Sequence, residues 1–181
     1  MVASAHALMT RTMPLAAFRA ACHTIEVGLK LSPEALAARW LALGYAPEPT
    51  VEVPGTFSRR GGILDVFSPH SAYPVRIEFF GDEVESLRLF DPATQRSVGT
   101  VPQASIVPGR ELALPQEEME RLGANDEDME YFLPMFYQPT AGCLLDYLPS
   151  RGLLVLADPE RLAGEVEEVA ARAAQAFLQH R

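Results

Sequence analysis

One side of a predicted β-strand, Val75–Phe80, carries residue types suited to recognising another molecule. The strand alternates strictly, so Arg76, Glu78 and Phe80 share the side opposite three apolar residues. Guanidinium groups and aromatic rings supply much of the binding energy of protein–protein interfaces, because they form bidentate hydrogen bonds and fill pockets. If this side is exposed, its chemistry is therefore that of a docking surface.

Periodicity alone leaves two interpretations of Phe80 open. In the first, the sheet is covered on both sides, and Phe80 packs under a helix or loop with the stem of Arg76 over it. In the second, Phe80 and the nearby arginines, which include the pair Arg59 and Arg60, form an exposed patch for a partner protein. Most strand phenylalanines are core residues, which favours the first interpretation.

Catalytic and cofactor-binding motifs are not found in the sequence. It contains no GxxxxGK[ST] phosphate loop and no GxGxxG, HExxH or GxSxG motif. The four histidines lack the spacing of metal ligands, and the carboxylates of Asp82, Glu83 and Glu85 fall on a predicted hairpin tip, where water solvates them. We therefore predict that this stretch is not an enzyme and holds neither a cofactor nor a metal.

Composition indicates a soluble globular chain. Its 181 residues are 48% hydrophobic and 22% charged, and no apolar run approaches the roughly 18–20 residues of a membrane span. Cys22 and Cys143 form no CxxC pair, and no secretion signal precedes them, so a cytoplasmic location without a membrane partner is predicted. The net charge of −9 lies mainly in residues 115–181, with 5 basic and 13 acidic residues, so no segment has the basic footprint of a nucleic-acid binder.

The elements that position this side of the strand are predicted to form an antiparallel sheet with a helix on one face. Ser32 as N-cap, Pro33 at the first helical position and Gly44 as the stop predict a helix over Ser32–Leu43, with Trp40 facing the core. The predicted strands are His23–Leu31, Thr56–Arg60, Gly62–Phe67, Val75–Phe80, Val84–Phe90 and Val101–Val107.

Gly81–Asp82 predicts a two-residue hairpin turn, with glycine first as a type II′ turn demands. Such a turn places Phe80 opposite Glu83. An unbroken register would then put Leu87 on the polar side, so we predict a bulge near Glu85–Ser86 that returns it to the apolar side.

A βα unit is predicted near the C-terminus. Gly152–Ala157 is rich in leucine and resembles a strand, and Asp158 follows at once as the cap of a long helix, about Pro159–Leu178. At the other end, Val2–Met9 is apolar and has no capping chemistry before it, so we expect its partners to lie upstream in a longer protein. The predicted fold is α+β: a two-layer arrangement with helices on one face of an antiparallel sheet, plus a C-terminal βα segment.

The stretch FSRRGGILDVFSP…YPVRIEFFGDEVESLRLFDPATQRS, within residues 57–97, resembles the UvrA-interaction domain shared by the transcription-repair coupling factor (Mfd) family and the excision nuclease subunit UvrB. Upstream, HTIEVGLKLSPEALAARWLALGY resembles the segment entering this domain, and downstream LLDYLPSRGLLVLADPE resembles the start of a UvrB-like subdomain. The resemblance implies three parts: residues 1–17 end an upstream subdomain, 18–112 form the UvrA-interaction domain, and 113–181 form part of the UvrB-like subdomain with its C-terminal helix.

The resemblance implies that the chain docks UvrA through Arg60, Arg76 and Phe80, with Arg59 and Glu78 beside them. Phe80 would then face the partner rather than the core, and the arginines would bind carboxylates of UvrA. The implied function is recruitment of UvrA to stalled RNA polymerase in nucleotide excision repair.

Proteins of this family also carry an RNA polymerase-binding module and a DNA translocase motor that uses ATP and Mg²⁺, and this sequence contains neither. RNA polymerase and DNA are therefore expected partners only through other regions. One alternative is a DNA-contacting domain as in UvrB, although its aromatic-rich hairpin and phosphate loop do not occur in this sequence. Another is an intramolecular clamp, in which a different part of the full-length protein masks the patch.

Overall fold

The computed structural model describes residues 2–112, 117, 120–121, 133, 135–137 and 141–179, with side chains as far as residue 172. The chain divides into two compact units, one formed by Ala16–Glu130 and the other by Met1–Leu15 with Tyr131–Arg181. The helices whose bounds the structure describes are α1 Ala5–Met9, α2 Leu15–Ala21, α3 Pro33–Ala42 and α4 Pro159–Gln179, with a 3-10 helix at Leu144–Tyr147. The strands are β1 Arg11–Thr12, β2 His23–Glu26, β3 Ala46–Pro47, β4 Thr56–Arg60, β5 Ile63–Phe67, β6 Val75–Phe80, β7 Glu83–Phe90, β8 Ser97–Thr100, β9 Gln103–Ile106 and β10 Gly142–Cys143.

A six-stranded sheet in the order β3-β4-β5-β6-β7-β8 forms the centre of the unit Ala16–Glu130. β3 runs parallel to β4, and every other neighbouring pair is antiparallel. β2 and β9 form a separate antiparallel pair, with His23 opposite Ile106. The α+β fold predicted from the sequence is confirmed.

Helix α3 begins and ends where its capping residues predict. The Ser32 hydroxyl accepts a hydrogen bond from the Ala35 amide at 3.2 Å, and Gly44 follows the helix with a left-handed φ of 81°. Trp40 is fully buried under the helix, and its ring lies edge-on to Phe57 of β4 with 5.7 Å between centroids. Such an aromatic pair adds about 0.5–1.5 kcal/mol beyond the burial of its area, which anchors α3 to one face of the sheet.

The hairpin of β6 and β7 has both the turn and the bulge that the sequence predicts. Gly81 has a φ of 61°, the left-handed conformation that the first position of a type II′ turn requires. The register shifts by one residue between Glu78 and Phe79, which leaves Glu85 without an opposite residue in β6. Because Glu85 is accommodated as a bulge, Leu87 lies opposite Ile77 on the core side, where it is 1% exposed.

The strand predicted over His23–Leu31 is shorter than expected. β2 covers only its first four residues, and Gly28 turns the chain with a φ of 86°. The chain then runs beside the start of β7, where Lys30 forms an isolated antiparallel bridge with Glu83. Because of this turn, Val27 leaves the apolar side and is 50% exposed.

The unit of Met1–Leu15 with Tyr131–Arg181 contains the predicted long helix, α4, and the amide of Arg161 donates to the Asp158 carboxylate that caps it. The strand predicted over Gly152–Ala157 does not form, and its four middle residues are 52–87% exposed. A strand of a parallel sheet needs neighbours for its backbone groups and apolar side chains. Among the described residues of this unit, the only strands are the two-residue β1 and β10, which pair with each other. The predicted βα unit is therefore confirmed in its helix and wrong in its strand.

Candidate functional site

The face of the six-stranded sheet opposite α3 brings together most of the residues singled out in the sequence. Residues directly opposite in neighbouring strands point to the same face, so the register alone aligns them. One row crosses the strands through Ser58, Asp65, Arg76 and Arg88, and the next row passes through Arg60, Ile63, Glu78 and Ser86. We call these two rows, together with Phe80 at the end of β6, the polar face.

Asp65 lies at the centre of the polar face and is 1% exposed. Its carboxylate accepts hydrogen bonds from two arginines. Nε and Nη2 of Arg76 donate to Oδ1 and Oδ2 at 2.8 Å each, and Nη2 of Arg60 donates to Oδ2 at 2.7 Å. A buried carboxylate is costly unless its charge is paired and its lone pairs are satisfied, and the two guanidinium groups provide both.

Contacts with Asp65 and Phe90 occupy most of the Arg76 side chain. Its side chain is 19% exposed, and its guanidinium carbon lies 4.6 Å from the ring centroid of Phe90, which is fully buried in a small cluster with Val51 and Phe67. The hydrogen bonds to Asp65 raise the pKa of Arg76 above its ordinary value, although burial acts in the opposite direction. Arg76 is thus a structural cation that joins this cluster to the polar face.

Arg60 is more open than Arg76. Its side chain is 53% exposed, and it uses only Nη2 in the pair with Asp65. Nε and Nη1 of Arg60 have no partner among the described residues. An approaching carboxylate can therefore bind Arg60 while its pair with Asp65 stays intact.

Glu78 is engaged within its own hairpin. Its Oε2 accepts hydrogen bonds from the Ser86 hydroxyl at 2.5 Å and from Nη2 of Arg88 at 3.0 Å. Arg59 lies elsewhere, because strand alternation turns it to the α3 face, where it pairs with Glu34. The structure therefore brings Arg60, Arg76, Glu78 and Phe80 together and separates Arg59 from them.

Phe80 stands at the end of the polar face, next to the hairpin turn, and is 81% exposed. The interpretation of Phe80 as a core residue is therefore wrong. An aromatic ring left in water gains no hydrophobic stabilisation from folding, so this position is explained better by binding than by stability. The polar face thus ends in an exposed ring, with a half-exposed cation, Arg60, on the same side of the sheet.

Asp65 in the polar face and Lys30 beside it were not singled out in the sequence analysis. Asp65 had a signal, because it is a lone carboxylate between apolar neighbours in the strand ILDVF. Lys30 had none, because only the bridge to Glu83 places it beside the hairpin. Glu83 is opposite Phe80 on one side and Lys30 on the other. These three residues extend the polar face along the hairpin tip.

The part of the chain described by the structure contains no group of three or more His, Cys, Asp or Glu residues arranged to hold a metal ion. None of its helices combines the length and the apolar character needed to cross a membrane.

A known protein family matches the unit that contains the polar face. The sequence profile of the UvrB interaction domain matches residues 24–112, which contain the whole polar face. A transcription-repair-coupling factor from Myxococcus xanthus is 46% identical over 121 residues, covering 67% of this chain and 10% of that protein. One from Bacillus subtilis (strain 168) is 32% identical over 204 residues, covering 92% of this chain and 17% of that protein.

UvrABC system protein B from Ralstonia nicotianae is 35% identical over 117 residues, covering 64% of this chain and 17% of that protein. The chain therefore spans 10–17% of the length of these three relatives.

Proposed function

We propose, on the premise that residues 24–112 belong to the UvrB interaction domain family, that this chain is a docking module that binds UvrA in transcription-coupled repair. The observation that carries the proposal is the exposure of Phe80, at 81%, beside a face of fixed arginines. Interface hot spots combine such an aromatic anchor with arginines whose hydrogen-bonding geometry is set in advance.

In this proposal the three implied contact residues have different roles. Phe80 enters an apolar pocket of UvrA, and Arg60 donates to a carboxylate of UvrA through the donors that Asp65 leaves open. Arg76 contributes mainly by holding Asp65, since its Nε and Nη2 are already used and it is 19% exposed. The sequence-based expectation is that both arginines bind partner carboxylates, and this proposal refines it to a direct role for Arg60 and a supporting one for Arg76.

The coupling to transcription is proposed from the longer relatives. They are named transcription-repair-coupling factors, and this chain matches only a small part of each. We propose that the rest of such a protein binds RNA polymerase and moves on DNA with ATP, while this part brings UvrA to the stalled polymerase. The chain itself would then act by binding alone.

Isothermal titration of purified UvrA tests the docking role. Phe80→Ala should weaken binding at least about thirtyfold, because removing a hot-spot aromatic costs about 2 kcal/mol or more. Tyr73→Ala is the matched control, since Tyr73 is also an exposed aromatic, at 43%, but lies outside the polar face. Equal affinities for the wild type and Phe80→Ala would refute the proposal.

A DNA-contacting role, as suggested by the similarity to UvrABC system protein B, has less support. Arg60, Arg76 and Arg88 are already paired with carboxylates of the polar face, so they do not form a free basic stripe. Binding of the chain to plain duplex DNA with a steep salt dependence would reverse this preference.

A further inference from the structure

We propose that Asp65 is a positioning residue of the docking surface, and that its carboxylate holds the Arg60 guanidinium in the orientation that UvrA binds. The inference rests on the proposed function and extends it to a residue that does not itself reach the partner, because Asp65 is 1% exposed. The carboxylate acts only through the guanidinium that it holds.

Asp65 contacts Arg60 directly. Asp65 is opposite Ser58 of β4, two residues before Arg60, so the Arg60 side chain leans back along the strand to reach Oδ2 at 2.7 Å. An unanchored arginine on a surface samples many rotamers, and ordering such a side chain on binding costs about 0.5–1.5 kcal/mol. The carboxylate removes this cost before UvrA arrives, since the rotamer is already selected.

Asp65 is itself held in place by a second arginine. Arg76, in the neighbouring strand, donates hydrogen bonds to both carboxylate oxygens of Asp65, which stops the carboxylate from rotating. Arg76 in turn stacks on the buried ring of Phe90. A continuous chain of contacts therefore runs from an apolar cluster through Arg76 and Asp65 to the half-exposed guanidinium of Arg60.

Two guanidinium groups share one carboxylate, so the cluster of Arg60, Arg76 and Asp65 keeps a net positive charge of one. The excess charge is available at Arg60, because Arg76 is 19% exposed and Arg60 is 53% exposed. The chemistry that fits this position on UvrA is a carboxylate that accepts from Nε or Nη1 of Arg60.

A double-mutant cycle measured in binding tests the inference. Affinities for UvrA are measured for the wild type, Arg60→Ala, Asp65→Asn and the double variant, at a temperature where circular dichroism shows each to be folded. If Asp65 acts through Arg60, each single change weakens binding about tenfold, and the double variant is also about tenfold weaker rather than a hundredfold. A purely structural role would lower stability without this coupling in affinity. If Asp65→Asn does not fold, Asp65→Glu, which keeps the charge and displaces it by one methylene, takes its place in the cycle.

Glu34→Gln serves as the matched control, because Glu34 also pairs with an arginine of β4, Arg59, but on the α3 face, away from Arg60. It should bind UvrA like the wild type and show no coupling to Arg60→Ala. Additive losses for Arg60 and Asp65, or an Asp65 variant that binds like the wild type, would overturn the inference and leave the docking function standing. A wild-type chain that does not bind UvrA would overturn both.

Discussion

Arg76 and Asp65 face each other in neighbouring strands, and both oxygens of the carboxylate accept hydrogen bonds from the guanidinium at 2.8 Å. Removing Arg76 leaves a buried carboxylate with a single contact to Arg60. We predict that Arg76→Ala lowers the free energy of unfolding by about 3 kcal/mol or more, as expected when one member of a buried ion pair is lost. Urea unfolding followed by tryptophan fluorescence measures the change.

The control for this prediction is Arg88→Ala. Arg88 pairs with Glu78 on the same face, but its side chain is 45% exposed, so its loss should cost less than about 1 kcal/mol. Similar losses for the two variants would mean that the Asp65 pair is no stronger than a surface pair. The binding defect of an Arg76 variant has to be measured below its unfolding transition.

Phe80→Ala should leave the free energy of unfolding within about 0.5 kcal/mol of the wild type, because the ring is 81% exposed. Phe57→Ala provides the contrast, since Phe57 is 4% exposed and packs against Trp40, and it should cost about 3–5 kcal/mol. Thermal and urea unfolding of both variants test the pair. A large loss of stability in Phe80→Ala would show that the ring contributes to the core after all.

Gly81→Ala should destabilise the hairpin by about 1–2 kcal/mol, because Gly81 has a φ of 61° and an L-residue is strained there. A Cβ at this position meets nothing within 4 Å, so the cost is conformational and not steric. Gly99→Ala is the control, since it too has open space but no left-handed φ. Its free energy of unfolding should be unchanged or slightly raised, and equal losses in the two variants would refute the role of the turn conformation.

The environment of His23 predicts that the stability of the fold depends on pH. Burial lowers the pKa of His23 below its ordinary value of 6.5; the hydrogen bond to the Ala21 carbonyl acts in the opposite direction, and the positive charge of Arg39 lowers the pKa further. Nε2 of His23 accepts a hydrogen bond from Trp40 at 3.3 Å, which requires this nitrogen to be unprotonated. As the pH falls below 6.5, the unfolded chain takes up the proton before the folded chain does, so stability is lost on acidification and levels off below the folded pKa.

The measurement is the midpoint of urea unfolding between pH 7.5 and pH 5. His23→Gln removes the titrating group and keeps an acceptor near the Trp40 indole, so the difference between the two proteins isolates the contribution of His23. The wild type should lose more stability than His23→Gln on acidification. Parallel pH curves for the two proteins would exclude His23 as the source.

Local chemistry explains how far the sequence could predict the fold. Ser32 and Gly44 mark the ends of α3, and Gly81 marks the hairpin, because caps and turns depend on residues adjacent in the chain. The bulge at Glu85 could also be predicted, since the apolar Leu87 had to be returned to the core side. Each of these predictions needed only a few neighbouring residues and one rule of geometry.

Features that depend on distant residues were predicted less well. Strand alternation could not decide between the two interpretations of Phe80, and only the resemblance to known proteins favoured the exposed one. The contact of Asp65 with Arg60 and Arg76 depends on the register of three strands, which a single sequence does not reveal. Gly152–Ala157 has the composition of a strand but finds no neighbouring strand in the described part of its unit.

The pairing of the β6–β7 hairpin does not require the bulge at Glu85. Removing Glu85 would leave every cross-strand partner of β6 unchanged, from Phe80 at the tip to Val75 at the far end. It would also remove the additional right-handed twist that a bulge imparts, and so change the direction in which the tip points. A variant without Glu85 would thus keep the residues of the hairpin tip but change the direction in which they point. Its affinity for UvrA would separate the effect of the tip's orientation from that of its residues.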